Sequence, residues 1–168
     1  MTEKAPEDDT GNELQHQVEV QWAVEVEPWM PKNSDIHLWS SEVLRKLNES
    51  PSPTEVCVRI VSEAEIQGLN RDYRDIDKTT NVLAFPQSIG LDVGTSLLGD
   101  IVICAPVVLF EATSQAKAPR AHFAHLIVHG MLHLLGYDHL EDKQAEEMER
   151  TEIVILRGIG VDDPYRQD

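Results

Sequence analysis

The stretch His129-Gly130-Met131-Leu132-His133-Leu134-Leu135-Gly136-Tyr137-Asp138-His139 decides how the rest of the chain is read. Its three histidines stand four and then six residues apart, with a glycine three residues after the second. On a helix, residues four apart lie about 40° apart in azimuth and about 6 Å apart along the axis. His129 and His133 therefore face the same way and can grip one ion. On a continued helix His139 would lie about 15 Å beyond His129. The helix must end near Gly136, the residue type that most readily takes the left-handed cap conformation. The chain then turns through Tyr137 and Asp138 and brings His139 back to the same point. Three neutral imidazoles with an open fourth position describe a catalytic zinc site better than a structural one.

The helix carrying this stretch, expected over residues 119–136 with Pro119 at its start, is apolar almost all round: Phe123, Leu126, Ile127, Val128, Met131, Leu132, Leu134 and Leu135. Such a helix is buried within its domain. Its exception is a stripe about 80° wide holding His122, His125, His129 and His133. His125 and His129 are also four apart, but only His129 and His133 lie close enough to the turn for His139 to reach. His125 is then a candidate to line the cleft or support a ligand from behind, and His122 a surface residue. Asp138 either orients a ligand imidazole, as carboxylates do behind metal ligands, or caps the last helix. The spacing His-x-x-x-His-x-x-Gly-x-x-His also matches metzincin proteases, which need Glu directly after the first histidine as general base. Gly130 stands there, so the spacing supports the metal geometry without the proteolytic chemistry.

A length of 168 residues with 41% apolar content suits one domain with one main core. No apolar run approaches the roughly 20 residues needed to span a bilayer. The start of the chain, residues 1–9, lacks the basic and apolar regions of a signal peptide. Cys57 and Cys104 lie in strand-like apolar contexts and read as buried thiols, which fits a cytosolic home. The formal net charge of −16 excludes a general nucleic-acid binder that relies on a basic surface. That charge is concentrated at the two ends of the chain, which leaves room for a local basic cleft in the middle.

Residues 1–14 are polar and acidic and are expected to form a flexible tail, with one catalytic, metal-binding domain over 15–168. Residues 18–26 alternate apolar and polar, as a half-buried strand does. Ser34 or Asp35 can cap a helix to about Asn48, with Ile36, Trp39, Val43, Leu44 and Leu47 on one side. A second strand covers 55–61, and Ser62-Glu63-Ala64-Glu65 is a capping-box signature for a helix to about Tyr73. Further strands are expected over 81–85 and 97–104, and helices from Pro106 to about Lys117 and from Glu141 to Arg157. The order β-α-β-α-β-β-α-α-α predicts an α+β domain, with a small mixed sheet of about four strands packed around the buried histidine helix. Within the second strand, Arg59 shares a face with Cys57 and Val61. It either reaches solvent at a sheet edge or is fixed to hold a phosphate or carboxylate in two-point contact. The loop 70–81 is the most arginine- and lysine-rich stretch available to a substrate.

Together these residues resemble the YbeY family of bacterial endoribonucleases that mature ribosomal RNA. The resemblance rests on the whole stretch His129 to His139, on Leu69-Asn70-Arg71-Asp72-Tyr73-Arg74, on Asp77-Lys78-Thr79-Thr80-Asn81-Val82-Leu83-Ala84-Phe85-Pro86, and on Leu98-Gly99-Asp100-Ile101-Val102-Ile103. It covers roughly residues 55–165. Thr79 stands where the family usually has proline and Ala84 where it usually has serine, and both are expected to lie away from the histidines. The resemblance implies one zinc ion per chain, bound by His129, His133 and His139, and a catalytic part for Arg59. It implies cleavage of single-stranded rRNA at the 3′ end of 16S rRNA, and a role in ribosome quality control. It also implies work in the cytoplasm, away from membranes, with the small ribosomal subunit and assembly factors. Two rivals are a non-catalytic assembly factor stabilised by its metal and a metal-dependent peptidase.

Overall fold

The computed structural model describes residues 16–47, 53–87 and 96–166. The acidic tail expected over 1–14 lies outside the described residues. Nine elements follow in the expected order: β1 (Gln17–Trp22), α1 (Asn33–Leu47), β2 (Thr54–Val61), α2 (Glu63–Arg74), β3 (Val82–Pro86), β4 (Ser96–Cys104), α3 (Ala105–Ser114), α4 (Pro119–Leu134) and α5 (Asp142–Gly158). The strands form one mixed sheet in the order β1-β2-β4-β3. β1, β2 and β4 run parallel, and β3 pairs antiparallel with β4. The protein is a single α+β domain.

Strand alternation sorts the sheet's side chains into two cores. Val56, Val58 and Ile60 of β2 and Ile101 and Ile103 of β4 pack with α1, α4 and α5 on one face. Val61, Leu83, Val102 and Cys104 pack with Ile66 of α2 on the other. Helix α4 occupies the middle, touching α1, α3, α5, β3 and β4. Its all-round apolar character is the sequence form of that position. Gly130 lets it approach β4 closely, since a Cβ there would lie 3.1 Å from the Ile101 side chain.

The first strand is shorter than its alternation predicts. β1 ends at Trp22, paired with Ile60, and Ala23 N–H makes one more bond to the Ile60 carbonyl. Its partner β2 stops at Val61, so residues 24–26 have no ladder to join. At the other end of the sheet, the β2–β4 register shifts between Glu55 and Val56, whose partners are Leu97 and Gly99. Gly99 takes φ +145°, and a Cβ there would lie 2.3 Å from the Phe85 carbonyl oxygen and 2.9 Å from Leu134 Cδ2. Glycine at this bulge admits both β3 and the end of α4. Gly99→Ala is therefore expected to destabilise the fold by about 3 kcal/mol or more, read as a lower urea midpoint. An unchanged midpoint would contradict this packing.

Candidate metal centre

Helix α4 ends as the sequence requires. Gly136, at φ +97°, sends its N–H to the His133 carbonyl, and Tyr137 sends its own to the Leu132 carbonyl. These two bonds are those of a Schellman cap. They reverse the chain within a few residues and bring His139 back beside the helix. The ring centroids of His129 and His133 lie 4.6 Å apart, those of His133 and His139 5.1 Å, and those of His129 and His139 5.7 Å. One nitrogen from each of the three rings falls within 4.8 Å of the others.

The donor atoms suit a metal. Glu152 of α5 has no exposure at all. His129 Nδ1–H donates to its Oε1 at 2.5 Å. With its proton on Nδ1, His129 presents a bare lone pair at Nε2, 3.0 Å from Nε2 of His133. Two ligand nitrogens about 2.0–2.1 Å from a tetrahedral zinc would stand about 3.3 Å apart, close to this separation. Burial lowers the pKa of His133, and the neighbouring His129 and His139 lower it further. It is thereby held in the neutral form that binds metal.

Glu152 ties the site to its surroundings. Its Oε2 accepts from His125 Nε2–H at 2.8 Å and from the Tyr165 hydroxyl at 2.5 Å. Burial alone would raise its pKa, but the hydrogen bonds from His125 and His129 outweigh burial and bring it down to about 2. His125, His129 and Glu152 form a second group with metal-binding chemistry. Their atoms are already joined by short hydrogen bonds, which suits an orienting network better than a second ion. Sequence reading missed both Glu152 and Tyr165. The signal for Glu152 was its spacing: it lies four residues from both Met148 and Leu156, on the buried stripe of an otherwise acidic helix.

Other expected residues lie elsewhere. His122 is not on the surface. It is 5% exposed beneath α3, with its Nε2 3.1 Å from Glu111. Asp138 neither orients a ligand ring nor caps α5. Its Oδ1 accepts from the backbone N–H of His139 at 2.7 Å, and Glu141 is the N-cap. Arg59 does not join the histidines. It lies on an inner strand, on the α2 face of the sheet, with both Nε and Nη2 donating to Glu65, at 2.7 and 2.9 Å, and Nη1 donating to Gln21. Only half of the capping box at α2 forms: Ser62 accepts from Glu65 N–H, while the Glu65 carboxylate turns to Arg59 instead.

The triad opens into a cavity of about 600 Å³, walled by Val82, Ala84 and Pro86 of β3, by Tyr137 to Leu140, and by Arg74. Ala84 thus lines the histidine cavity, contrary to the expectation that it lies apart.

Two outcomes follow for Glu152. Replacing it with alanine removes the partner of His129 Nδ1, and the affinity of the three histidines for a metal ion is expected to fall about 10- to 100-fold, measured by competition with a coloured chelator. The carboxyl sits at about 2 in the fold against about 4.3 unfolded, so its contribution is full above about pH 4.3 and lost as pH falls towards about 2. It amounts to about 3 kcal/mol. Urea titrations of the metal-free protein should show that loss in the wild type and not in Glu152→Gln. Parallel curves would contradict it.

Comparison with known proteins places the chain in a family. Residues 21–160 match the family model described as endoribonuclease YbeY. An endoribonuclease YbeY of Alteromonas mediterranea is 48% identical over 139 residues, covering 83% of this chain and 87% of its own. The solution structure of TM1509 from Thermotoga maritima superposes with a TM-score of 0.57 at 26% identity, covering 90% of this chain and 100% of that one. The family model and the Alteromonas relative, each matched over most of this chain, lead to one assignment: the chain belongs to the endoribonuclease YbeY family.

Proposed function

We propose that the protein is a zinc-dependent endoribonuclease that cuts single-stranded RNA. We assign it to 3′-end maturation of 16S rRNA and ribosome quality control, in the cytoplasm, with the small ribosomal subunit and its assembly factors as partners. The observation that carries the reading is the gathering of His129, His133 and His139 at an open cavity in a chain of this family. Among the described residues no helix is long and apolar enough to cross a membrane.

His129, His133 and His139 would hold the ion, and Glu152 would fix the tautomer and direction of His129. Zinc in such a site supplies Lewis acidity to a phosphodiester oxygen and makes water a better nucleophile. Gly130 fills the place of a protease's general base, and its contact with Ile101 leaves little room for a side chain. Arg59, expected beside the reacting phosphate, enters the proposal differently. Its two-point bond to Glu65 ties the first turn of α2 to the sheet, and the last turn of that helix carries Arg74 to the cleft. Arg59 is thus a positioning residue.

The net charge of −16 favours a second reading, a metal-stabilised assembly factor that cleaves nothing. Incubation with a single-stranded rRNA fragment separates the two. Wild type should cleave it, chelation should abolish cleavage and zinc restore it, and His133→Ala should be slower by about 100-fold or more with or without zinc. Equal rates in wild type and His133→Ala would refute the proposal. Ribosomal-subunit binding without any cleavage would establish the second reading in its place.

A further inference from the structure

We infer that Arg74 is the side chain that receives an RNA phosphate in this cleft, an inference that rests on the RNA-cleavage reading above. A polyanion entering a protein of net charge −16 needs a local cation, because phosphate contacts supply most of the affinity for nucleic acid. Among the described residues, Arg74 is the only lysine or arginine lining the histidine cavity.

Three other arginines of the fold are already paired. Arg59 is held by Glu65, Arg71 by Asp72 and Arg120 by Asp35. Among the described residues nothing pairs with the Arg74 guanidinium, which is exposed. Its backbone, by contrast, is fixed. The helix closes at Asp75, in the left-handed conformation at φ +59°, with Asp75 N–H bonded to the Arg71 carbonyl. The following loop is pinned by Asn70 Nδ2 donating to the Lys78 carbonyl at 3.0 Å, and by Gln67 Nε2 donating to Asp77. An arginine with a fixed base and a free fork, facing a cluster of metal-binding histidines, is prepared for two-point contact with a phosphate oxygen pair.

The test uses the zinc-loaded full chain and a fluorescein-labelled single-stranded RNA, with anisotropy read before turnover and cleavage followed separately. Arg74→Ala should weaken binding about tenfold and lower the slope of log K against log salt by about 0.7, the value of one single-strand phosphate contact. Arg74→Lys should recover the slope and only part of the affinity, since it restores the charge without the fork. Arg71→Ala removes the same charge one helical turn away, outside the cavity, and should bind within about twofold of wild type. An unchanged slope in Arg74→Ala, an equal loss in Arg71→Ala, or no binding by wild type would each overturn the assignment. Wild type that binds in this Arg74-dependent way but cleaves nothing would refute the nuclease reading and leave the phosphate contact standing.

Discussion

The packing of α4 governs this protein. A helix covered by α1, α3, α5 and two strands can show polar groups only along the line its neighbours leave open. In α4 that line carries histidines. Close contact at Gly130 and the bulge at Gly99 let the helix seat deeply on β4. The same seating turns His129 and His133 toward the cleft beside β3. The histidine site is therefore a consequence of core packing and of one tight turn.

The second constraint is electrostatic. A wholly buried carboxylate is costly unless its oxygens are satisfied by charged or polar donors. Glu152 meets that condition with donors from His125, His129 and Tyr165. These bonds join α4, α5 and the residues that follow α5 around one carboxylate. They also set the face that His129 offers. A ring held at Nδ1 can turn only Nε2 toward the cleft, so the buried acid decides the direction of the lone pair. Stability and chemistry meet in the same three hydrogen bonds.

Much of this was legible in the residues. The order of the nine described elements followed from apolar periodicity together with cap and proline signals, and the gathering of the three histidines followed from helical spacing with Gly136 as the stop. What escaped depended on distant partners. β1 stops at Trp22 because β2 ends, which no pattern within residues 18–26 records. Alternation put Arg59 on the face of Val61 but could not say that α2 covers that face while α4 covers the other. Glu152 stands on the Met148–Leu156 stripe of an acidic helix, and only the packing of α5 against α4 shows that a carboxylate there is buried. His122 was misread for the same reason, since the helix α3 that covers it is not visible from α4 alone. The expectation about Ala84 failed because β3 pairs with β4 alongside α4, so its residues wall the cavity.

The most direct test of the account is the visible spectrum of the cobalt-substituted protein, which reports ligand number and geometry. One ion per chain is expected, with the intense bands of a tetrahedral site. Those bands should be lost in His139→Ala and kept, with weaker binding, in His125→Ala. An ion whose spectrum survives His139→Ala but disappears in His125→Ala would place the metal with His125, His129 and Glu152, and would contradict the account.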